Sequence, residues 1–294
     1  MPSIRANRTP VNPTAHLVAP PGFLEERPYA LSSPRVTETA VLESAHFVAR
    51  CLRYRLHTER LQLKTLMHLD LKGSTAIDIG ANKGIYSFWL SRAVGPAGRV
   101  LAFEPQPEMI DYIEDKKSRF RLKNITTFNV ALSNAAGTAS LLRQRIGDGS
   151  ASLEPERIRD DSQGIRVAIS ALDDISGISN VSFIKCDVEG HEFNVFEGGR
   201  RLIERHMPIV QFEATAAETK RLFDLFEGFG YVGFMYLDNQ YRPTSDLAKV
   251  PHRKFGMSGH RDAQCQDCAL RRRRKSPRND ASPRLRNRLQ TSPL

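Results

Sequence analysis

The stretch AIDIGANKG, residues 76–84, joins an apolar strand to a turn built mostly from small residues. Asp78 lies near the end of the predicted strand, and Gly80 and Gly84 follow with Asn82 between them. In a doubly wound sheet, the turn after the first strand is where a nucleotide or nucleoside packs against bare backbone. The stretch therefore predicts an α/β fold with a ligand site at the end of its first strand.

The segments around this stretch alternate between strand-like and helix-like patterns. Strands followed by helices imply right-handed crossovers, so we expect a mostly parallel, doubly wound sheet that helices cover on both faces. The predicted strands are 75–79, 99–104, 125–132, 181–187, 208–213 and 231–237, and the predicted helices are 36–71, 85–94, 107–120, 191–205 and 216–228.

Residues 133–170 interrupt this alternation. Two strand-like runs, TASLLRQ and IRVAIS, enclose a polar stretch, which predicts a β-hairpin insertion with a long loop. Long loops in compact domains are often lids over a site, but a mobile surface loop explains the pattern equally well.

The 294-residue chain carries a net charge of +10, and that charge lies at its two ends. Residues 269–294 hold eight Arg, one Lys and one Asp, and residues 1–35 hold four Arg and two Glu, so the remainder is balanced. We predict a flexible arm over residues 1–36, one domain over 37–268 with its core at 72–240, and a disordered basic tail over 269–294. The tail is either solvated or a contact for nucleic acid or another anionic surface.

Hydropathy and cysteine content indicate a cytoplasmic protein. The chain has no apolar run long enough to span a bilayer, and its first residues lack the apolar core of a secretory signal. Four cysteines in a chain of this length are not a disulfide framework, so we expect reduced thiols. Cys265 and Cys268 form a C-x-x-C pair, and His252 and His260 lie upstream. One C-x-x-C pair is half of a zinc site, and incidental reduced thiols explain the pair better than zinc does.

Two ligand classes suit the glycine turn, a dinucleotide and S-adenosylmethionine. The turn from Gly80 to Gly84 lacks the G-x-G-x-x-G triple that serves a pyrophosphate. Glu104 ends the next strand, where a carboxylate accepts hydrogen bonds from ribose hydroxyls. S-adenosylmethionine has no phosphate and carries cationic groups, which carboxylates favour. The sequence thus predicts S-adenosylmethionine rather than NAD, and the acids at predicted strand ends are Asp78, Glu104, Asp187 and Glu189.

Residues 72–214 contain, in this order, the motifs IDIGANKGIYS, AFEPQPE, NVALSN, GSASL, LDD, FIKCDVEGHEFNVFEGG and PIVQFE. In these motifs the chain resembles the FkbM family of S-adenosylmethionine-dependent methyltransferases. The resemblance implies a Rossmann-like class I methyltransferase fold and, usually, methylation of a hydroxyl on a sugar, polyketide or similar metabolite. It also implies that Asp78, Gly80, Asn82 and Gly84 line the methionine end of the cofactor, Glu104 the ribose, and Ala131 and Ser133 the adenine.

The string FIKCDVEGHE, residues 183–192, places a second polar set at a strand end. Asp187 and Glu189 follow a buried strand, where idle carboxylates would be costly, and His191 opens the next helix. Removing the proton of an acceptor hydroxyl needs a positioned carboxylate or histidine, so the candidate catalytic residues are Asp187, Glu189 and His191. We favour Asp187 as a cofactor ligand, with Glu189 or His191 nearer the acceptor.

Three charged neighbours have simpler interpretations. Glu192 fits the electrostatics of a helix start, and Lys185 within the strand is expected to pair with an acid. Glu213, which ends PIVQFE, extends the carboxylates to a set of three that suits Mg²⁺, but nothing in the spacing requires a metal.

We predict an S-adenosylmethionine-dependent methyltransferase that acts on a hydroxyl of a small molecule or glycan, with no membrane span and no nucleic-acid partner. One alternative is an RNA methyltransferase that uses the basic tail, although the core has no basic patch interleaved with aromatic residues. Another is a cofactor-binding scaffold protein without catalysis, and the carboxylates Asp187 and Glu189 beside an intact glycine turn argue against it.

Overall fold

A large mixed sheet and a small one organise the chain. The computed structural model describes residues 38–155, 162–214, 216–237, 240–243 and 268–272. The strands in these ranges are β1 (Thr75–Ile79), β2 (Arg99–Phe103), β3 (Ile125–Phe128), β4 (Ala131–Ser133), β5 (Gly137–Arg143), β6 (Gln163–Ala171), β7 (Val181–Cys186), β8 (Ile209–Phe212), β9 (Tyr231–Leu237), β10 (Gln240–Pro243) and β11 (Cys268–Arg272). The helices are α1 (Glu38–Arg53), α2 (Arg60–His68), α3 (Ile85–Val94), α4 (Pro107–Phe120), α5 (Glu192–Glu197), α6 (Arg200–His206) and α7 (Ala216–Gly228), and a π-helical turn, Tyr54–Thr58, follows α1.

Five parallel strands form one side of the large sheet, in the order β3-β2-β1-β7-β8 from its edge inwards. The chain starts in the middle with β1, runs outwards to β3, and returns to the other side of β1 with β7. A ligand crevice opens where the strand order reverses in this way. Every residue of β1 is buried, because helices cover both faces of the sheet. The predicted doubly wound, mostly parallel α/β fold is confirmed.

The helices divide between the two faces of the large sheet. Helices α1 to α4 cover one face, where Phe47 and Trp89 belong to the same core as Ala76 of β1. Helices α5 to α7 cover the other, where Phe196 packs edge-on against Phe212 of β8. None of the helices in the described ranges has the length and apolar character needed to span a bilayer.

The predicted β-hairpin insertion is also confirmed. Strands β5 and β6 pair antiparallel along their whole length, and β4 joins β6 in parallel to complete the small sheet. The long connection between β5 and β6 runs past the carboxyl ends of the large sheet, and its residues 156–161 lie outside the described ranges.

Three predicted elements are each divided in the structure. The helix predicted at 36–71 ends as α1 at Arg53 and resumes as α2 at Arg60, with the π-helical turn between them. The strand predicted at 125–132 ends at Phe128, because the side-chain amide of Asn129 donates to the carbonyls of Glu104 and Pro105, at 3.0 and 2.9 Å, and bends the chain towards the small sheet. The helix predicted at 191–205 breaks into α5 and α6 at Gly198. A Cβ on that glycine would lie 2.1 Å from the carbonyl oxygen of Ser133, so β4 passes too close for any other residue.

Strand β11 lies inside the large sheet, between β8 and β9, and runs antiparallel to both. Residues 269–272, which the sequence analysis assigns to a disordered tail, belong to this strand, so the predicted boundary at 269 is wrong. Backbone pairing with β9 runs along the whole strand, and pairing with β8 covers Cys268, Ala269 and Leu270. The predicted arm over residues 1–36 and the rest of the tail, 273–294, lie outside the described residues.

A chain that ends at residue 272 retains β11, whereas a chain that ends at residue 267 loses it. In the shorter variant β8 and β9 each lose a hydrogen-bonded neighbour, so we expect its free energy of unfolding to be lower by roughly 3 kcal/mol or more. Urea denaturation of the two variants measures the difference. Equal stabilities would show that β11 contributes nothing to the sheet.

Candidate functional site

A cavity of about 50 Å³ lies between the carboxyl ends of β1, β2 and β7 and strand β4. Most of the residues that the sequence predicts for the site form its wall. Those on the wall are Gly80, Asn82, Glu104, Ala131, Asp187, Glu189 and His191. Asp78, Gly84 and Ser133 do not belong to the wall.

Gly80 lies against the loop that follows β7. Its φ is +76°, and a Cβ at this position would lie 1.9 Å from the carbonyl oxygen of Asp187. The amide of Asp187 in turn donates to the carbonyl of Ile79 at 3.0 Å, which joins the ends of β1 and β7. The group that comes close to the backbone of Gly80 is therefore the Asp187 carbonyl of the same chain.

Glu104 is buried at the end of β2, with 3% of its surface exposed. Its two carboxylate oxygens accept hydrogen bonds from the backbone amides of Asn82, at 2.8 Å, and Gln106, at 2.9 Å. Asn82 has a left-handed backbone conformation with φ of +45°. Burial raises the pKa of Glu104 to about 7 despite these hydrogen bonds, so its charge changes near neutral pH.

Asp78 and Gly84 support the turn instead of facing the cavity. Asp78 is 1% exposed, and the hydroxyl of Ser87 in α3 donates to its carboxylate at 2.5 Å. Burial raises the pKa of Asp78 to about 6. Gly84 stands at the start of α3 with φ of +69°, where a Cβ would press on the side chain of Ile113 at 3.2 Å. Both residues therefore fix α3 against its neighbours.

Asp187 forms an ion pair with Lys185 at a distance of 2.9 Å. The aspartate side chain is 31% exposed, whereas the lysine side chain is 3% exposed. Burial by itself lowers the pKa of Lys185, but the nearby carboxylates of Asp187, Glu213 and Glu59 more than compensate and hold it well above its usual value. A permanently charged ammonium therefore fixes the Asp187 carboxylate beside the cavity.

Three residues near this ion pair are absent from the sequence predictions. The ring of Tyr86 lies 4.8 Å from the Lys185 ammonium, a cation–π distance. The Tyr86 hydroxyl donates to Glu59 and accepts from the side-chain amide of Gln211 at 2.9 Å. Tyr86 belongs to the motif IDIGANKGIYS, but Glu59 and Gln211 carry no local pattern that would single them out.

His191 is hydrogen-bonded through both ring nitrogens. Its Nδ1 lies 2.5 Å from a carboxylate oxygen of Glu154, and its Nε2 lies 2.9 Å from the hydroxyl of Ser133. A neutral imidazole that donates through Nδ1 to the carboxylate accepts through Nε2 from the hydroxyl. His191 therefore connects the loop after β5 with β4 and with the start of α5. Ser133 takes part in this connection as the partner of Nε2.

The turn after β7 holds Glu189 in an unusual conformation. Glu189 has φ of +55°, which is costly for a residue with a side chain, and it lies on the cavity wall. Glu192 stabilises the turn by accepting hydrogen bonds from the amides of Val188 and Gly190, both 3.1 Å at the shortest. Burial raises the pKa of Glu192 to about 7. Glu192 thus has a structural role beyond helix-start electrostatics.

The loop after β5 closes one side of the cavity. The carbonyl of Asp148 accepts from the side-chain amides of Gln106, at 3.1 Å, and Asn82, at 3.4 Å. On the other side, the hydroxyl of Ser152 donates to the carbonyl of Glu189 at 2.7 Å. The loop is therefore bound both to the turns after β1 and β2 and to the turn after β7.

The described residues offer no metal site. Within the ranges that the structure describes, no group of three or more His, Cys, Asp or Glu side chains is placed to hold a metal ion. The sequence suggests Asp187, Glu189 and Glu213 as a three-carboxylate set for Mg²⁺. In the structure Asp187 is paired with Lys185, and Glu213 also lies near that ammonium. Of the C-x-x-C pair, Cys265 lies outside the described residues, as do His252 and His260.

The fold and the site together define the class of protein. The sheet is doubly wound and parallel, with an antiparallel strand inserted near one edge. A glycine turn follows β1, and an acid follows β2. This is the arrangement of a Rossmann-like class I methyltransferase. Residues 78–232 match the methyltransferase FkbM domain. Because this match covers more than half of the chain, the protein belongs to the FkbM methyltransferase family.

Several solved structures are similar to the chain. A methyltransferase FkbM from Methylobacillus flagellatus is 18% identical with a TM-score of 0.45, and the match covers 69% of this chain and 45% of that one. An S-adenosylmethionine-dependent O-methyltransferase from Thermotoga maritima is 15% identical with a TM-score of 0.40, over 72% of this chain and 65% of that one. A methyltransferase from Streptococcus mutans in complex with S-adenosylhomocysteine is 12% identical with a TM-score of 0.40, over 72% and 96%. The chain thus spans less than half of the Methylobacillus protein, and no curated protein matches it.

Gly73 provides a matched control for the contact at Gly80. Its φ is +72°, but nothing lies within 4 Å of a Cβ added there. We expect Gly73→Ala to cost about 1 kcal/mol of stability from backbone strain alone, and Gly80→Ala to cost at least about 3 kcal/mol because the Asp187 carbonyl must also move. Urea denaturation measures both. Similar costs would mean that the turn after β7 shifts freely.

Proposed function

We propose that the protein transfers a methyl group from S-adenosylmethionine to a hydroxyl of a small molecule or glycan. The observation that carries this proposal is the pair of carboxylates, Glu104 and Asp187, on the wall of one cavity. They follow β2 and β7, which are the two neighbours of β1 in the sheet, so they flank the Gly80 turn. The ribose of the cofactor suits Glu104, and its cationic amino-acid end suits Asp187.

The chemistry of Glu104 fits the ribose of the cofactor. Both of its oxygens accept backbone amides, and each keeps a second lone pair that accepts a hydroxyl. The wall next to it is apolar, with Phe103, Val130 and Ala131, and suits an adenine ring. The absence of a third glycine in the turn and this buried acid together support S-adenosylmethionine over NAD.

Asp187 and Lys185 would hold the amino-acid end. Lys185 holds the Asp187 carboxylate in place through the ion pair, and the exposed part of that carboxylate is available to an ammonium group. When bound, S-adenosylmethionine supplies an electrophilic methyl group on a positively charged sulfur. The protein's remaining tasks are to align the acceptor and to remove the proton of its hydroxyl.

Glu189 is our candidate for removing that proton. It lies on the cavity wall in a left-handed backbone conformation, and such costly conformations persist where the surrounding structure enforces them, often at active sites. His191 is a weaker candidate, because both of its ring nitrogens already bind Glu154 and Ser133. We assign His191 a positioning role for the turn that carries Glu189.

The loop after β5 would act as a lid. Small-molecule sites usually measure about 300–1,000 Å³, far more than the present cavity. A nucleoside could therefore enter only if Asp148 and its neighbours moved outwards, which breaks the hydrogen bonds from Gln106 and Asn82. The adjacent Gly147 is also bound to Gln106, at 3.1 Å, and to the Lys83 ammonium, at 3.4 Å, so opening breaks a few hydrogen bonds of modest net strength.

Cofactor affinity should depend on pH through Glu104. Its carboxyl group accepts ribose hydroxyls much more strongly when it is ionised than when it is protonated, and its pKa is about 7. We expect S-adenosylhomocysteine to bind about tenfold more weakly at pH 6 than at pH 8, measured by calorimetry. NAD should give no heat. Glu104→Ala should lose this pH dependence and about 1.5–3 kcal/mol of binding.

Glu192 is the matched control, because its pKa is also about 7 but it does not line the cavity. Glu192→Gln should keep the wild-type pH dependence of binding. A pH dependence that disappears in Glu192→Gln and survives in Glu104→Ala would remove Glu104 from the cofactor site.

Asp187 and Glu189 should respond differently to loss of charge. We expect Asp187→Asn to weaken S-adenosylhomocysteine binding, and Glu189→Gln to leave binding intact while lowering methyl transfer by about 10²–10⁴-fold. Transfer is measured as labelled methyl groups taken up by pools of hydroxylated metabolites, glycans and RNA. Uptake by RNA alone would favour an RNA methyltransferase, and cofactor binding without any uptake would favour a scaffold protein.

A further inference from the structure

Three positively charged side chains from three separate elements gather beside the cavity. Lys83 follows Asn82 of the cavity wall, Arg145 lies in the loop after β5, and Arg50 lies in α1. Lys83 and Arg50 are half-buried, and Arg145 is exposed. The cofactor site proposed above uses none of the three.

Two hydrogen bonds hold the turn that carries Lys83 against the loop that carries Arg145. The side-chain amide of Asn82 donates to the carbonyl of Asp148 at 3.4 Å, and the Lys83 ammonium donates to the carbonyl of Gly147 at 3.4 Å. Arg145 belongs to the same tight turn, because its carbonyl accepts from the amide of Asp148 at 3.2 Å. Lys83 and Arg145 therefore lie on the two sides of one opening.

Helix α1 brings Arg50 to the same place. The carbonyl of the adjacent Cys51 accepts from the indole N–H of Trp89 at 3.2 Å, which packs this part of α1 on α3. Helix α3 begins directly after the turn that carries Lys83. Arg50 therefore lies near enough to Lys83 to act on it electrostatically.

The pKa of Lys83 reflects this crowding of positive charge. Burial lowers that pKa, and the charges of Arg50 and Arg145 lower it further. Asp148 acts in the opposite direction, but its carboxylate accepts two backbone amides of its own loop and forms no ion pair with Lys83.

Cations elsewhere in the described ranges are treated differently. Five of them lie between 2.6 and 2.9 Å from a carboxylate oxygen, namely Lys116, Lys117, Arg119, Arg143 and Lys185. Arg50, Lys83 and Arg145 have no ion pair with any residue that the structure describes. Like charges that are gathered beside a ligand cavity without acidic partners are suited to an anionic ligand.

We propose that Arg50, Lys83 and Arg145 bind an anionic group, a phosphate or a carboxylate, on the acceptor of methyl transfer. Guanidinium groups bind the oxygens of both anions in a bidentate manner, and an ammonium adds a compact charge. The inference rests on the proposed function and narrows its substrate class. The acceptor then carries an acidic group in addition to the hydroxyl that is methylated.

S-adenosylmethionine also has a carboxylate, which is a second source of the same chemistry. That carboxylate carries a single negative charge and is bonded to the carbon that bears the cofactor's own ammonium. Three cations exceed what such a group neutralises, so a separate anion matches their charge better.

The position of Arg145 links acceptor binding to the loop after β5. Arg145 lies on this loop, whereas Lys83 and Arg50 belong to the body of the domain. An anion held by all three therefore bridges the loop and the domain, and stabilises the closed loop over a bound acceptor.

Calorimetry of the full chain with inorganic phosphate, at constant ionic strength, tests the anion site. We expect saturable binding in roughly the millimolar range, and we expect Lys83→Met and Arg145→Gln each to raise the dissociation constant by about tenfold or more. Lys64→Met is the matched control, because it removes the charge of an exposed lysine in α2 that does not line the cavity. Absence of phosphate binding, or binding that Lys83→Met and Arg145→Gln leave unchanged, would overturn the proposal. Circular dichroism confirms that the variants fold, and Arg145 is exposed on a loop.

Two cofactor analogues separate the two sources of the anion. S-adenosylhomocysteine keeps the amino-acid carboxylate, and 5′-methylthioadenosine lacks it. We expect Lys83→Met to bind both as the wild-type chain does. If the variant loses affinity for S-adenosylhomocysteine and keeps it for 5′-methylthioadenosine, the three cations hold the cofactor and the proposal is wrong.

Methyl transfer to metabolites that anion exchange has divided into an anionic and a neutral pool tests the substrate class. We expect labelled methyl groups in the anionic pool, and we expect Lys83→Met and Arg145→Gln to lower this uptake by about tenfold at low pool concentration and much less at saturation. Uptake by the neutral pool alone would overturn the inference and leave the proposed methyl transfer intact. No uptake by either pool, together with phosphate binding that requires Lys83, would contradict methyl transfer while supporting the anion site.

Discussion

The carbonyl oxygen of Asp187 lies where any side chain at residue 80 would stand, and the geometry of the site depends on this contact. The amide of Asp187 donates to Ile79, and the amides of Gly80 and Ala81 both donate to Phe103. These backbone hydrogen bonds join the ends of β7, β1 and β2 into one rigid edge. Glu104 and Asp187 are therefore held at a fixed separation, before any ligand contributes.

The crevice gathers many carboxylates, and the protein compensates for them in two ways. Glu104 and Glu192 bind backbone amides and have pKa values of about 7, so each is partly protonated near neutral pH. Asp187 is instead neutralised by the buried ammonium of Lys185, which Tyr86 also contacts through its ring. Because desolvated like charges repel strongly, this division lets an acidic site exist inside a stable fold. It also leaves Asp187 as the carboxylate that is held by an ion pair instead of by backbone amides.

The sequence predicts the centre of the fold well and its margins poorly. β1 and β7 are continuous apolar runs ended by a glycine turn and by acids, and such local patterns identify a buried parallel strand and its functional end. Asp78 and Gly84 belong to the same motif as Gly80, so the sequence places all three at the site. Only the hydrogen bond of Asp78 with Ser87 and the packing of Gly84 on Ile113 show that these two residues stabilise the turn without facing the cavity. Glu59 reaches the site through a hydrogen bond with a residue 27 positions away, which no sequence spacing predicts.

Strand β11 stands between β8 and β9 although it follows β9 in the chain, separated from it by β10 and residues 244–267. A chain emerging from the ribosome completes β8 and β9 first, and neither of them has its final neighbour until residues 268–272 appear. Open strand edges invite pairing with other chains, so the nascent protein is prone to aggregate in the interval between the synthesis of β9 and that of β11.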